Sequence, residues 1–429
     1  MRFLILSQYF PPEVGGPQTR LAAFSGELVR LGHAVEVVTA LPNYPTGRVF
    51  PGYRGTFYRH ERWEGISVHR VWSYAAVGRG FKRMSNYLSF ALSSFFGLLR
   101  AGRPDYLFVE SPPLFLGIPA FVMSRIWRVP FIFNVSDLWP DSALEMGIVE
   151  NKFLVWAARL LENWSYRKAS YVTAVTEGIR KALSTKGVPE RKLLFLPNGV
   201  DIKLFRPSPP DRAFKQRLGL EGKKVILYQG NLGYAQGLEV VLNAAKLLEN
   251  DSDIHFLFVG DGSQRADLER LSEHLALPNT TFMNPVAPAE LPRFFSIAAC
   301  GFASLRNLPL FQGARPSKIF PIMSSGKPVV FMGDGEAARL INAARAGVTL
   351  PFGNPQPLAR ALRQLVDQPD LAQELGRNGR RYVEEQMQWA GLVRDWLAEL
   401  PENNATNWTE PVTKPGVTAS PREQTVKIP

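Results

Sequence analysis

Short apolar runs alternate with longer helical patterns through both halves of the chain. An apolar run, a glycine-containing loop, a helical pattern and a second apolar run follow one another over residues 2–39, and the same unit returns over residues 224–262. Further apolar runs predict strands at 106–109, 131–135, 171–174, 194–196, 300–304 and 329–332. Apolar runs that alternate with helices are typical of parallel strands buried on both faces. The sequence therefore predicts an α/β fold with two Rossmann-like sheets, whose strands end at a shared ligand cleft.

The repeated unit divides the 429 residues into two domains, as expected for a chain of this length. We predict a first domain over residues 1–198, a linker rich in turn-forming residues over 199–212, and a second domain over 213–385. The C-terminal helix expected over residues 386–400 has the first domain as a candidate docking partner. Residues 401–429 contain few large apolar side chains and are predicted to be a disordered tail.

Positive charge is concentrated in the first half of the chain. The formal net charge is +12, and residues 1–200 contain 24 Lys and Arg against 14 Asp and Glu. Residues 65–104 contain no acid and six basic residues: Arg70, Arg79, Lys82, Arg83, Arg100 and Arg103. This imbalance predicts that the first domain lies close to an anionic partner.

A helical pattern over residues 84–99 lies between the two basic clusters of this region. It is too short to cross a bilayer, which needs about 20 apolar residues. Two interpretations are open: an amphipathic helix on an anionic membrane surface, or an ordinary helix packed on a sheet with basic ends in water. A nucleic-acid partner is not indicated, because the region contains no recognisable binding motif.

Cysteine content and the N-terminal sequence indicate the compartment. The single cysteine, Cys300, excludes an intrachain disulfide, is typical of a reducing compartment, and is predicted to be a buried thiol. The first apolar run ends at Pro11 without a cleavage-site pattern, so no secretory signal is expected. We expect a cytoplasmic protein that is peripheral on the inner face of the plasma membrane.

The stretch from Arg315 to Lys318 predicts an anion site. Pro316 suits the first position of a helix, and the free backbone N–H groups of a helix start attract anions. Arg315 and Lys318 stand beside that start. Together with the glycine-rich loop at 230–237, this segment predicts that the second domain binds a phosphorylated ligand.

Six motifs, in this order along the chain, resemble those of the family 4 glycosyltransferases of the GT-B type. The resemblance covers roughly residues 1–400 and is closest to bacterial membrane-associated members that transfer an amino sugar, such as N-acetyl-L-fucosamine, during surface-polysaccharide assembly. The motifs are Pro-Pro-Glu-x-Gly-Gly at 11–16, Ser-Asp-Leu-Trp-Pro at 136–140, Pro-Asn-Gly-Val-Asp at 197–201, Gly-Asn-Leu-Gly-x-Ala-Gln-Gly at 230–237, Gly-Asp-Gly at 260–262 and Pro-Ser-Lys at 316–318.

The resemblance implies which residues hold the donor, a nucleotide diphosphate sugar. Glycine loops let backbone N–H groups approach an oxyanion. For Gly15 and Gly16, a tight turn after the first strand is the alternative explanation. The implied donor-binding residues are Gly15, Gly16, Gly230, Asn231, Gly233, Gln236, Gly262 and Ser317.

The chain also departs from the family pattern. Asn231 and Gln236 stand where many members carry Arg and Lys, so we assign compensation of the diphosphate charge to Arg315 and Lys318 as catalytic groups. The second Glu of the family's Glu-x7-Glu motif, which usually holds the ribose, is replaced by Pro321. Either another group holds the ribose, with Glu336 as one candidate, or donor affinity is poor.

Acceptor-side chemistry is implied by the motif at 136–140. Asp137 could bind an acceptor hydroxyl or act as a base, and Trp139 could stack on a sugar; a helix N-cap followed by a packed Trp is the alternative. Glu13 is a further acceptor-side candidate.

No metal site and no cofactor are expected, because two-Rossmann transferases use basic groups and helix ends. The predicted function is the transfer of a hexose or amino sugar from a nucleotide diphosphate sugar, expected to be UDP-linked, to a lipid-linked saccharide. The resemblance implies retention of configuration. The predicted partners are that donor, that acceptor and an anionic membrane surface around residues 70–103. The alternatives are a catalytically degenerate scaffold subunit and a nucleotide-sugar epimerase on the same fold.

Overall fold

The first domain is built on a sheet of eight strands. The computed structural model describes residues 1–44, 46–76, 81–145 and 151–401. Within them the sheet has the order β3-β4-β2-β1-β5-β6-β7-β8, parallel throughout except that β3 runs antiparallel to β4. These strands are β1 (Arg2–Leu6), β2 (Ala34–Ala40), β3 (Tyr58–Trp63), β4 (Ile66–Val71), β5 (Tyr106–Ser111), β6 (Phe131–Val135), β7 (Tyr171–Ala174) and β8 (Leu193–Phe195).

The second domain is built on a parallel sheet of six strands with the order β11-β10-β9-β12-β13-β14 in the described chain. These strands are β9 (Lys224–Gln229), β10 (Ile254–Val259), β11 (Thr280–Met283), β12 (Ala298–Ser304), β13 (Val329–Met332) and β14 (Gly347–Leu350). Every neighbouring pair in this sheet is parallel.

Helices cover both faces of each sheet. Those of the first half are α1 (Gly16–Arg30), α2 (Phe81–Ala101), α3 (Gly117–Trp127), α4 (Asp141–Glu145), α5 (Lys152–Lys168) and α6 (Glu177–Thr185). Those of the second half are α7 (Arg212–Arg217), α8 (Glu239–Leu247), α9 (Arg265–His274), α10 (Leu291–Ile297), α11 (Ile319–Ser324), α12 (Glu336–Ala343), α13 (Pro355–Asp367), α14 (Pro369–Gln386) and α15 (Trp389–Ala398).

The predicted α/β fold with two Rossmann-like sheets is confirmed, but the apolar pattern missed four strands. The edge strands β3, β11 and β14 are partly exposed along their length and carry no continuous apolar run. The fourth, β4, is almost entirely buried but contains His69 and Arg70 in place of apolar residues.

The C-terminal helix α15 packs on the first domain. Its Trp396 is fully buried and contacts the rings of Phe3, Phe24 and Phe108, while its indole nitrogen donates to Thr173 Oγ1 at 3.3 Å. With α1, this helix covers one face of the first sheet, and α2, α3, α5 and α6 cover the other. The chain therefore passes between the domains twice.

Helix α2 packs on the sheet and still leaves an apolar row outside. Phe90, Ala91 and Leu98 are buried against the sheet. On the outer side, Leu92 is 72% exposed and Leu99 is 63% exposed, and Leu88 and Phe96 continue the same row. No helix within the described residues is long and apolar enough to cross a membrane.

The basic region around residues 70–103 is less uniform than its sequence suggests. Lys82, Arg83, Arg100 and Arg103 are exposed, and Arg79 lies outside the described residues. Arg70 is fully buried, because its guanidinium pairs with Glu61 at 2.5 Å and donates to the carbonyl of Pro11. The expectation that Arg70 faces an anionic surface is therefore wrong.

The segment after Arg315 also differs from its prediction. Helix α11 begins at Ile319, so Pro316 does not occupy a first helical position. Residues 309–313 form a separate 3-10 turn, and Ile319 N donates to Pro316 O at 3.2 Å in a turn that leads into α11. The chain reverses twice before the helix starts, which leaves the side chain of Lys318 beside the neighbouring strand β9.

Candidate active site

Loops from both domains meet where their parallel strands end. In the second domain these loops follow β9, β10, β12 and β13, and in the first domain they follow β1, β2 and β6. The carboxyl ends of parallel strands share one edge of a sheet, so each domain presents one set of loops to the cleft between them.

The two glycine loops of the second domain pack directly on each other. Leu232 N donates to Asp261 O at 2.8 Å, and a Cβ at Gly262 would lie 2.5 Å from Leu232 O. Gly230 has φ +115, a backbone conformation that only glycine adopts without strain. Backbone packing between the loops is thus sufficient to require glycine at 262, whatever the ligand.

Gln236 and Gly233 complete the first of these loops. Gly233 N donates to Gln236 Oε1 at 3.2 Å, and Gln236 O accepts a hydrogen bond from Ser304 Oγ at 2.5 Å. The Gln236 side chain therefore closes its own loop, while Asn231 and Ser317 are exposed toward solvent. The structure brings Gly230, Asn231, Gly233 and Lys318 together at one end of strand β9.

Lys318 is the cation at the centre of this arrangement. Its Nζ donates to the hydroxyl of Tyr228 and lies 4.0 Å from the centroid of that ring, and its Cε would be 3.6 Å from a Cβ at Gly230. The Tyr228 hydroxyl in turn donates to Asn231 O at 2.5 Å. Burial lowers the pKa of Lys318 to about 7. No carboxylate within the described residues forms an ion pair with it.

Other cations near these loops already have acidic partners. Arg306 Nη2 lies 2.6 Å from Glu239 Oε1, and its Nε donates to Tyr234 O at 2.7 Å. Arg265 pairs with Glu269 at 2.8 Å and donates to Gly260 O. Both arginines hold loop backbone in place, and neither was predicted, because only the fold brings them to the loops.

Arg315 and Glu336 lie at the contact between the domains. Arg315 Nε is 3.0 Å from Glu336 Oε1, and Arg315 Nη2 donates to Val175 O at 3.1 Å. Glu336 also accepts hydrogen bonds from Glu177 N and Gly178 N at the start of α6. Both charges are used in this contact, and the ribose role of Glu336 and the diphosphate role of Arg315 stay predictions.

Glu13 is a loop anchor in the first domain. Its carboxylate is 4% exposed and accepts hydrogen bonds from Asn43 N at 2.7 Å and Tyr44 N at 2.8 Å. Burial raises the pKa of Glu13, against the hydrogen bonds that favour its charged form. The carboxylate is directed into the loop that follows β2, and its acceptor-side role stays a prediction.

Gly15 and Gly16 lie beside that anchored loop. A Cβ at Gly15 would be 2.5 Å from Gln18 Oε1 and 3.4 Å from the ring of Tyr44, whereas a Cβ at Gly16 would meet nothing within 4 Å. Gly16 opens helix α1, so free backbone N–H groups are present where the resemblance implies a donor.

Asp137 follows strand β6 and faces the cleft from the first domain. Its Oδ2 accepts a hydrogen bond from Ser142 Oγ at 2.9 Å, and burial raises its pKa against that hydrogen bond. Trp139 is half-buried and packs against the core of the first domain. In this motif, Trp139 packs on the core of the first domain, and Asp137 is the residue with a polar contact.

A buried polar network supports the Asp137 loop. Its residues were not among the predicted site residues. Arg20 on α1 lies 2.9 Å from Glu110 and donates to Asn134 Oδ1 at 3.0 Å. Glu110 also accepts hydrogen bonds from Asn134 Nδ2 at 2.9 Å and from Ser136 Oγ. The sequence signals for this network were Arg20 in an amphipathic helix and Glu110 at the end of an apolar run. The described residues contain no group of three or more acidic, His or Cys side chains arranged to hold a metal ion.

Comparisons with known proteins cover most of the chain. The family described as "Glycosyl transferase 4-like domain" matches residues 15–199, and the one described as "Glycosyl transferases group 1" matches residues 211–382. WcaI of Escherichia coli (strain K12), whose description names colanic acid biosynthesis and glycosyl transfer, is 28% identical over 76% of this chain and 82% of its own length. A GDP-mannose-dependent alpha-mannosyltransferase of Mycobacterium tuberculosis (strain CDC 1551 / Oshkosh) is 26% identical over 82% of this chain and 84% of its own.

Solved structures share the architecture. Anabaena HepE in complex with UDP-glucose superposes with a TM-score of 0.70 at 18% identity, over 93% of this chain and 98% of that one. At this identity the likeness shows the fold alone, a pair of Rossmann-like domains.

Proposed function

We propose that this chain, which belongs to the family 4 glycosyltransferases of the GT-B type, transfers a hexose or an amino sugar from a nucleotide diphosphate sugar to a lipid-linked saccharide. Glycosyl transfer in polysaccharide or glycolipid synthesis is the activity of its relatives. The donor, the acceptor and retention of anomeric configuration are our proposals.

The position of Lys318 carries the donor proposal. Of the cations beside the second-domain loops, Arg306, Arg265 and Arg315 are each paired with a carboxylate. Lys318 has no such partner within the described residues, and its Nζ contacts Tyr228 beside the glycine loop. A leaving nucleotide diphosphate needs a positive charge near its phosphates. Lys318 is the group that supplies it in this chain, where positions 231 and 236 are the uncharged Asn231 and Gln236.

The nucleotide is UDP in this proposal. HepE binds UDP-glucose in its crystal structure, whereas the mycobacterial relative is named for GDP-mannose. Without the usual ribose carboxylate at 321, binding relies on the diphosphate contacts of Lys318, Ser317 and the glycine loops.

The membrane proposal rests on the outer surface of the first domain. The apolar row of α2 is continued on α5 by exposed Phe153, Leu154, Trp156 and Leu160, and Ile126 of α3 is exposed between them. Lys82, Arg100 and Arg103 are exposed at the ends of α2. Exposed apolar rows flanked by basic residues suit the interface of an anionic leaflet. We propose that this surface holds the protein at the inner face of the plasma membrane, where a lipid-linked acceptor is present.

Calorimetric titration of the purified protein with UDP, GDP and ADP tests the donor proposal. We expect selective UDP binding that weakens at least about tenfold in Lys318→Met, the loss typical of one charge-assisted contact. Lys246→Gln, a surface lysine paired with Glu249 in the same domain, should bind UDP as the wild type does. Equal UDP affinity in Lys318→Met would overturn this role, and no nucleotide binding at all would favour a scaffold subunit.

Vesicle sedimentation tests the membrane proposal. We expect binding to vesicles that contain phosphatidylglycerol and much weaker binding to phosphatidylcholine alone. Leu92→Glu should reduce binding strongly, whereas Leu247→Glu, at an exposed leucine of the second domain, should not. Equal binding by both variants would contradict the proposed surface.

A further inference from the structure

Arg83 is an exposed cation in the first turn of α2, at the cleft end of that helix. Its Nε donates to Tyr87 Oη at 2.7 Å, and its guanidinium carbon lies 5.4 Å from the centre of that ring. It forms no ion pair with a carboxylate within the described part of the chain. A carboxylate partner of the kind that Arg70 and Arg315 have is therefore absent from Arg83 within these residues.

Two further tyrosines surround this guanidinium. Tyr9 lies next to Tyr87, and the ring of Tyr44 packs edge-on against Tyr9 with 5.9 Å between centroids. Tyr44 is also the residue whose ring lies beside Gly15. Burial raises the pKa of Tyr9 and of Tyr44, so both hydroxyls remain protonated donors at neutral pH.

The position of this cluster is fixed by a buried contact. Gln8 Nε2, at the end of β1, donates to Asn86 Oδ1 at 2.5 Å, and Asn86 Nδ2 donates to Tyr74 O at 2.7 Å. These bonds hold the first turn of α2 against the loop that carries Tyr9. The acidic groups that act on this cluster are Glu13, Asp137 and Asp261. Each already accepts a hydrogen bond, from the amides after β2, from Ser142 and from Gly262 N.

The guanidinium is a donor only, and the phenolic hydroxyls beside it can donate as well as accept. Such a set of donors suits phosphate oxygens, which accept several hydrogen bonds and carry the opposite charge. The same helix carries the apolar row that ends at Leu99, about 24 Å from Arg83 at 1.5 Å per residue. A ligand that contacts both ends of α2 has an anionic group at the cleft and a lipid chain along the outer surface.

We propose that Arg83, with the hydroxyls of Tyr87 and Tyr9, binds the phosphate or diphosphate that joins the acceptor saccharide to its lipid. This inference rests on the proposed function, because it names the chemical class of the acceptor for the same cleft. The saccharide then extends from the phosphate site toward Asp137 and the donor, and the lipid leaves along α2.

Titration with farnesyl diphosphate, a short lipid diphosphate, tests the site. We expect wild-type protein to bind it and farnesol to compete poorly. Arg83→Gln should weaken binding at least about tenfold, and Tyr87→Phe should weaken it less. Lys181→Gln, which removes one exposed charge from α6, should bind as the wild type does. Equal binding by Arg83→Gln, or no binding by a wild-type protein that binds UDP, would overturn the proposal.

Vesicle binding distinguishes a lipid-linked acceptor from phospholipid headgroups as the source of the phosphate. UDP binding distinguishes a failure of this proposal from a failure of the donor proposal. Arg83→Gln should bind phosphatidylglycerol vesicles and UDP as the wild type does. An equal loss toward vesicles would mean that Arg83 contacts phospholipid headgroups and would overturn the acceptor assignment. Farnesyl diphosphate binding that depends on Arg83, in a protein that binds no nucleotide, would support this site while contradicting the donor half of the proposed function.

Discussion

Arg315 Nε lies 3.0 Å from Glu336 Oε1, and this ion pair of the second domain is bound to the first domain from both ends. Arg315 donates to Val175 O, and Glu336 accepts from the amides of Glu177 and Gly178 at the start of α6. A carboxylate at a helix start is favoured by the free N–H groups and by the helix dipole. The pair therefore fastens the two domains at a point away from the linker.

We expect Glu336→Gln to weaken this fastening and not the donor site. The neutral amide loses the charge that Arg315 and the helix start both require, which should lower the free energy of unfolding by about 1–3 kcal/mol. Thermal unfolding and UDP titration of the same variant measure both properties. A large loss of UDP affinity with unchanged thermal stability would instead support the role in ribose binding that the sequence predicted.

A second prediction concerns the backbone contact beside that pair. A Cβ at Gly178 would lie 2.1 Å from Gly313 Cα, so Gly178→Ala should force the domains apart. Misplacement on the order of 1 Å between reacting groups can lower turnover about 100-fold. We expect sugar transfer to fall about 10–100-fold with UDP affinity changed less than about twofold.

Gly26→Ala is the matched control for Gly178→Ala. Gly26 is also helical, and a Cβ there would meet nothing within 4 Å. This variant should keep full turnover and gain about 0.5–1 kcal/mol of stability. Small-angle scattering should show a larger radius of gyration for Gly178→Ala only. Equal radii and equal turnover in the two variants would contradict the prediction that a side chain at 178 separates the domains.

The sequence predicted the fold because its strands are buried on both faces. Runs such as residues 254–259, where all six residues are buried, are typical of a strand covered on both faces. The strand β3 was not predicted because it lies at the sheet edge, where its residues are exposed or only partly buried and form no apolar run. The helix start expected at Pro316 was wrong because local propensity does not show that a 3-10 turn at 309–313 comes first.

The candidate site could be predicted only where loop backbone determines it. Glycine at 230, 233 and 262 and the cation at 318 converge because strand order in the sheet brings their loops together. The partners of Arg315, Glu13 and Arg70 could not be predicted, since only the fold shows which polar groups lie beside each of them. A motif shows that a charge is present, whereas only the fold shows whether another group has already neutralised it.

A third prediction concerns the network beneath Asp137. The side chains of Arg20 and Glu110 are 7% and 2% exposed, so Arg20→Met leaves a carboxylate buried without its cation. Removal of one partner from such a pair costs about 3–5 kcal/mol. Urea unfolding should show this loss, and adding Glu110→Gln should recover part of it. Arg30→Met, which removes an exposed ion pair from the same helix, should change stability little; an equally small effect of Arg20→Met would contradict the prediction.

The last prediction follows from the pKa of Lys318, which burial lowers to about 7. Phosphate binding favours the protonated amine, so UDP affinity should fall by up to about tenfold per pH unit above 7 as the amine loses its proton. A terminal phosphate with a pKa near 6 is already about nine-tenths ionised at pH 7. Its remaining ionisation adds negative charge and favours binding to a cation, so it does not cause the decrease.

The unliganded protein should show the opposite trend in stability. An unfolded lysine titrates at about 10.4, so between pH 7 and 10 the unfolded chain binds more protons at this residue than the folded chain does. The contribution of Lys318 to the free energy of unfolding therefore rises with pH across that window. Lys318→Met should lack both the rise in stability and the fall in UDP affinity. Titrations at pH 7, 8 and 9 and thermal melts at the same values check this. A wild type and a Lys318→Met variant with parallel profiles would mean that the amine does not titrate in this range and does not contact the phosphates.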